Sequence, residues 1–145
     1  MNKDSPVVSI VIPAYNLARY LGETIESILN QDYPNIELIV LDDGSTDDTR
    51  RVLEKYAGRI YMESQLNMGQ VNTLNKGWRM SKGDILGFIS ADDTLLPGAV
   101  GKAVACLAAN SDAVLTYCDF NLIDANSRII RRVTTPELSF ADMLT

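Results

Sequence analysis

The 145-residue chain contains no histidine. That absence removes a Ser-His-Asp triad, a Cys-His pair and any histidine-based zinc or iron site. A metal in such a chain would be held by oxygen, which points to a hard cation such as magnesium, manganese or calcium. Cysteine is nearly as scarce. Cys106 and Cys118 are too few and too scattered for a disulfide framework or a zinc cluster, so a reducing, cytoplasmic setting is expected. Positive charge is in short supply too, with 13 Lys and Arg against 19 Asp and Glu and a net charge of −6. That balance argues against nucleic acid and against broad binding to an anionic membrane, since both need a basic face. No run of eighteen apolar residues occurs, so no transmembrane segment is expected. The opening MNKDSPVVSIVIP has neither the long apolar core nor the small-residue cleavage site of a secretory signal.

What the chain does hold is apolar residues, 46% of the total, arranged for one globular domain over residues 1–145. VVSIVI (7–12) is β-branched and stopped by Pro13, a buried strand by composition. Leu17, Leu21, Ile25, Ile28 and Leu29 fall near a 3.6-residue period and predict an amphipathic helix. IELIVL (36–41) predicts a second strand, and Thr46 predicts the cap of a helix through Tyr56, with Gly58 beyond its end. A short strand near 59–63, a helix from about Gln70 to Met80 closed by Gly83, and a buried strand DILGFIS (84–90) follow. Pro97 predicts the first position of a helix through Ala109. AVLTYCDF (113–120) predicts another strand, and NLIDANSRIIRRV a hairpin turning at 124–127.

Repeated β-α-β with short links implies an α/β fold, a doubly wound and mainly parallel sheet. Ligands of such sheets sit beyond the carboxyl ends of the strands. Three polar clusters fall there: PAYN (13–16), DDGSTDD (42–48) and ADDT (91–94). Taken singly, each has an ordinary explanation as a turn or a helix cap. Together they would bring five or more acids to one sheet edge, two of the clusters carrying Asp-Asp directly after an apolar strand. Adjacent carboxylates repel, and the repulsion is relieved by a cation or by donor groups. No G-x-G-x-x-G follows the first strand and no P-loop motif occurs, so a site of another design is expected. A divalent metal bridging acids and a diphosphate, a carboxylate accepting from a ring N–H and a tyrosine against a base would make one.

These residues, in this order and spacing, resemble a family 2 glycosyltransferase of the GT-A, Rossmann-like nucleotide-diphospho-sugar transferase fold. The segment containing Asn67, Gly69, Asn75 and Gly77 is similar as well, and the likeness runs from about Val7 to about Val133. It implies an enzyme of the hexosyltransferase type, transferring a sugar with inversion from a nucleoside-diphosphate sugar, a UDP-sugar by preference. The acceptor would be a glycan, a lipid-linked glycan or another hydroxyl compound, as in polysaccharide biosynthesis. Pro13, Ala14 and Tyr15 would line the base pocket, and Asp43 would accept from the base N–H. Asp92 would meet the ribose, and Asp93 would ligate Mg²⁺ or Mn²⁺, with Asp92 a second candidate ligand. Asp42, Asn67, Gly69 and Lys76 are further candidates for donor binding.

Two positions depart from the family pattern: Ala91 stands where many relatives carry an acid, and Leu74 where relatives often carry arginine. Lys76 and Arg79 are nearby cations, for which a solvated helix face is the plainer expectation. The resemblance implies a catalytic base beyond Thr145, so neither Asp119 nor Asp124 is nominated. Ser139 and Asp142 predict a capping box opening a helix at Phe140, and the chain is expected to be truncated at its C-terminus. Truncation would leave apolar surface open to self-association. Location would be cytoplasmic, peripheral to a membrane through the acceptor or a partner. Two other classes fit less of the pattern. A non-catalytic nucleotide- or carbohydrate-binding module would keep the pocket without turnover. A receiver-like phosphoacceptor domain needs acids after the first strand and a lysine after the last, where PAYN and YCDF stand.

Overall fold

The structure, a computed structural model, describes residues 5–136. Residues up to Val104 form one compact unit and residues from Ala105 a second. In the first unit, β1 (Val8–Ala14) is followed by α1 (Ala18–Leu29), β2 (Ile36–Asp42), α2 (Thr49–Glu54), β3 (Tyr61–Ser64), α3 (Gln70–Met80) and β4 (Ile85–Phe88). The strands form one parallel sheet in the order β3-β2-β1-β4. Parallel neighbours need a crossover between them, and a right-handed crossover places its helix on one face when the chain steps one way and on the other when it steps back. The steps from β1 to β2 to β3 run one way, and the return to β4 reverses them.

The packing follows that path. Ile10, Ile12 and Ala14 of β1 and Leu38 and Val40 of β2 pack with Leu21, Ile25 and Ile28 of α1 and Leu53 of α2. The alternate residues Val11, Ile39 and Leu41 face the other way, against Leu74 and Trp78 of α3. Residues i and i+2 of a strand share a face, so one apolar run serves two cores. The doubly wound, mainly parallel sheet expected from the sequence is therefore borne out. Full burial of a residue such as Ile12 or Leu21 contributes roughly 1.5–3 kcal/mol, and both are wholly buried here.

Several local expectations differ. The DILGFIS strand is ordered as a strand only over Ile85–Phe88, and its residues alternate between half-buried and exposed. Strand β4 is the outer strand of the sheet among the described residues, with Leu86 half-exposed and Phe88 covered in part by the edge-on ring of Trp78. Thr46 does not cap α2. The helix starts at Thr49, two residues later than predicted, and the backbone N–H and Oγ1 of Thr49 donate to Asp47 Oδ1. Gly83 does not close α3, which ends at Met80 with an extended Ser81. A Cβ at Gly83 would lie 2.7 Å from Ser9 N and 2.8 Å from Val7 O, so its role is to let the chain pass close to β1. Helix α4 (Ala99–Ala109) starts two residues after Pro97, with Val100 buried in the first unit.

In the second unit, the strand predicted over 113–120 is not formed. Residues before Phe120 have no ladder partner among those described, and a strand without one leaves its backbone groups to solvent. The hairpin is present, with β5 (Phe120–Ile123) antiparallel to β6 (Ile129–Val133). Its turn lies where predicted: Asp124 Oδ1 accepts from Asn126 N and Arg128 N, and Ser127 takes φ 60°. The capping box at Ser139–Asp142 and the helix at Phe140 lie outside the described residues.

Candidate nucleotide-sugar site

Parallel pairing aligns the carboxyl ends of the four strands. Ala14 stands opposite Asp42, Asp42 opposite Ser64, and Val11 opposite Phe88. PAYN, DDGSTDD, the 65–69 loop and ADDT therefore leave the sheet along the same edge. The chain reverses its direction across the sheet between β1 and β4, and that switch point is where ligands of such sheets bind.

The first two clusters are bound to each other. Asn16 takes a left-handed φ of 53°, tolerable for asparagine. Its Oδ1 accepts from Thr46 N at 2.8 Å and more distantly from Asp47 N and Thr46 Oγ1, while its own N–H donates to Ser45 Oγ. Asp47 completes the clasp by accepting from Ala18 N at the start of α1. Pro13 and Ala14 are buried, and Ala14 O accepts from Asp43 N at 2.8 Å. Tyr15 is 49% exposed, so its ring is open to contact.

Asp42 and Asp43 are both buried, each 3% exposed. Asp42 Oδ1 accepts from Ser45 N at 3.0 Å, closing the turn. Asp43 reaches further along the chain. Its Oδ1 accepts from Gln65 Nε2 and Met68 N and its Oδ2 from Gly69 N, all at 2.9 Å. Burial pushes the proton affinity of Asp43 up, but the bonds from Gln65, Met68, Thr73 and Gly69 outweigh it and hold the carboxyl below the usual aspartate range. Gly44 makes this closeness possible. It takes φ 78°, and a Cβ there would sit 2.8 Å from Asn67 N. Gly69 is thus an anchor at the start of α3, whereas the Asn67 side chain is exposed.

Lys76 is not on a solvated face. Its Nζ donates to Glu63 Oε1 at 2.6 Å and to Gln65 Oε1 at 2.8 Å. Arg79, one helical turn on, is exposed as expected. Gln65, Thr73 and Glu63 are residues of this network that sequence reasoning missed. Nothing in a single sequence marks a glutamine twenty-two residues away as the partner of an aspartate.

The third cluster is positioned by backbone. Thr24 Oγ1 donates to Ala91 O at 2.9 Å and Leu95 N donates to Ser27 Oγ at 3.0 Å, so α1 holds both sides of the acids. Asp93 N closes a turn onto Ser90 O. Asp92 and Asp93 themselves are exposed, and no described residue donates to either carboxylate. Partial burial, and then the charge of Asp92, raise the proton affinity of Asp93. Two carboxylates side by side with no protein donor fit a hard divalent cation, which relieves that repulsion. Among the described residues no three His, Cys, Asp or Glu side chains group closely enough to hold a metal, so such an ion would need further oxygens from a ligand.

In the second unit Asp119 accepts from Thr135 N and Arg132 Nη2, which depress its proton affinity, and Asp124 builds the hairpin turn. Both acids have structural work there.

A 3-2-1-4 parallel sheet with helices on both faces and aspartates at its carboxyl edge defines a doubly wound α/β protein. Residues 9–140 match the model of glycosyl transferase family 2, and the chain belongs to that family. It is 39% identical over 127 residues to an uncharacterized glycosyltransferase of Rickettsia typhi, covering 87% of this chain and 40% of that protein. It is 45% identical over 131 residues to the chondroitin synthase of Escherichia coli, covering 88% of this chain and 19% of that one. Among solved structures it resembles the mannosyltransferase of Pyrobaculum calidifontis in complex with GDP-Man and Mn²⁺, with TM-score 0.65 and 28% identity over 72% of this chain and 33% of the other. The chain thus spans two fifths or less of the length of these relatives. The GT-A fold expected from the sequence agrees with that likeness. No helix among the described residues is long and apolar enough to cross a membrane.

Proposed function

We propose that this chain is the donor-binding part of an inverting glycosyltransferase that uses a nucleoside-diphosphate sugar and a divalent cation. The observation that carries the reading is the pair Asp92–Asp93: two exposed carboxylates without a protein donor, held by α1 at the switch point of the sheet. Asp93, with Asp92 beside it, would hold Mg²⁺ or Mn²⁺. When bound, the cation supplies charge neutralisation for the departing diphosphate. Asp92 would also accept from ribose hydroxyls. Tyr15 offers its ring to the base, with Pro13 and Ala14 forming the wall behind it. Asp43, held ionised by Gln65, Met68, Thr73 and Gly69, would be the group that accepts from a ring N–H. Uracil and guanine both present such a group, and UDP is our first choice of nucleotide. Asp42, Asn67, Gly69 and Lys76 act by shaping the loops around the donor.

The relative named chondroitin synthase supports a glycan acceptor, free or lipid-linked, and hexosyl transfer in polysaccharide synthesis. No described acid is assigned as catalytic base. We place the protein in the cytoplasm, at a membrane surface where its acceptor is lipid-linked, and expect apolar side chains such as Leu86 and Phe88 to favour self-association.

The test is calorimetric titration of UDP, then GDP, into the protein with Mn²⁺ and again with EDTA. Saturable binding that requires the metal and weakens at least ~30-fold, about 2 kcal/mol, in Asp93→Ala is the expected result. Binding of equal strength in EDTA, or in Asp93→Ala, would remove the metal role from these acids. No binding of either nucleotide to the folded protein would remove the donor site.

A further inference from the structure

The acids of the second cluster are tied to α3 through one amide. Gln65 Nε2 donates to Asp43 Oδ1 and to Thr73 Oγ1, both at 2.9 Å, while Gln65 Oε1 accepts from Lys76 Nζ at 2.8 Å. The ammonium only donates, so the amide oxygen must face it, and the NH₂ must then face Asp43. Lys76 is in turn held by Glu63, whose other oxygen accepts from Tyr61 Oη at 2.9 Å. Strand β3 and helix α3 therefore fix the orientation of a side chain that reports to Asp43. No cation pairs directly with Asp43 among the described residues. Its charge is met by two backbone N–H groups, this one amide and the Thr73 hydroxyl beside it.

We propose that Gln65 and Lys76 are positioning residues that set nucleobase choice, by keeping Asp43 an acceptor-only group toward bases with a ring N–H and against bases with a bare ring nitrogen. The proposal rests on the reading of Asp43 as the base acceptor. Uracil, thymine and guanine donate from a ring N–H, and an ionised carboxylate accepts it. Cytosine and adenine present a lone pair at the corresponding ring nitrogen, which an ionised carboxylate repels. If the amide turned, its oxygen would face Asp43 and favour a shared proton there. The carboxyl could then donate, and the discrimination would narrow.

The experiment titrates UDP, GDP, CDP and ADP, each with Mn²⁺, into the wild-type protein, Gln65→Glu, Lys76→Met and Lys76→Arg, between pH 5.5 and 8. The wild type is expected to prefer the better of UDP and GDP over CDP and ADP by at least ~10-fold at pH 7.5. Gln65→Glu places a second carboxyl against Asp43, and the preference should fall at least ~5-fold, further as the pH is lowered. Lys76→Met should narrow it in the same direction, and Lys76→Arg, which still donates to Gln65, should restore it. A merely structural role would weaken all four nucleotides by one factor and leave the ratio and its pH dependence unchanged. That result in both Gln65→Glu and Lys76→Met, with circular dichroism showing folded protein, overturns the proposal. Failure of the wild type to bind any of the four overturns the donor-site reading and this proposal with it. A wild type that binds without discriminating overturns this proposal alone.

Discussion

Two Asp-Asp pairs follow apolar strands in this chain, and the structure treats them in opposite ways. Asp42 and Asp43 are buried and accept from Ser45, Gln65, Met68 and Gly69. Asp92 and Asp93 are exposed and accept from no described residue. Their proton affinities diverge accordingly. Donors hold Asp43 down against the effect of its burial, whereas burial and the charge of Asp92 push Asp93 up. The first pair is occupied with organising the protein: its charge holds the 65–69 loop against the end of β2. The second pair has charge that the protein leaves uncompensated, which is what a cation-binding group needs before the ion arrives.

Removing each acid separates the two cases. Asp43→Ala would strand Met68 N, Gly69 N and Gln65 Nε2 without their acceptor, and should cost about 3 kcal/mol in urea unfolding. The sign with pH follows from the depressed proton affinity. The ionised Asp43 contributes stability that is fully present above the unfolded-state value near pH 4 and is lost as the pH falls through the folded-state value. Asp43→Ala should therefore flatten the fall in stability between pH 5 and pH 3. A variant within 0.5 kcal/mol of wild type, with the same pH slope, would mean that the loop does not depend on this carboxylate, and the contrast between the pairs would collapse.

Gly44→Ala probes the same pair from the backbone side. A left-handed φ of 78° costs an L-residue about 1 kcal/mol, and the added methyl would meet Asn67 N at 2.8 Å. A loss of about 2 kcal/mol in the same unfolding assay is expected. A loss below 0.5 kcal/mol would show that the 65–69 loop can back away, and that the hydrogen bonds to Asp43 are loosely held.

Much of this was legible in the sequence, and the parts that were not share a cause. Apolar runs such as VVSIVI and IELIVL mark strands because a strand covered on both faces has no polar side, and that pattern is local. The convergence of PAYN, DDGSTDD and ADDT follows from the parallel topology alone. What stayed hidden depends on contacts distant in sequence. The partners of Asp43 lie 22 to 26 residues away. Lys76 looked like a solvated helix residue because its position on α3 says nothing of Glu63 and Gln65 on the neighbouring segment. Gly83 looked like a helix end because its close approach to Ser9 joins residues 74 apart in sequence. The AVLTYCDF run looked like a strand because apolar β-formers are only half of a strand, the other half being a partner with free backbone groups.

The smallest effect falls on the second pair and runs the other way. The proton affinity of Asp93 is raised on folding, so the protonated form is the one the fold favours. That contribution is present below the unfolded-state value and is lost as the pH rises through the folded-state value. Asp93→Asn removes the repulsion with Asp92, and should therefore raise stability at pH 7 by a few tenths of a kcal/mol, after screening by solvent, and leave it unchanged at pH 3. In the presence of UDP, which supplies further oxygens, saturating Mn²⁺ should stabilise the wild type and not the variant, because an ion that binds only the folded state adds stability in proportion to its occupancy. Thermal unfolding with and without Mn²⁺ reads both effects in one series. A variant less stable than wild type at pH 7 without metal would mean that the Asp93 carboxylate already has a partner within the protein, as Asp43 does.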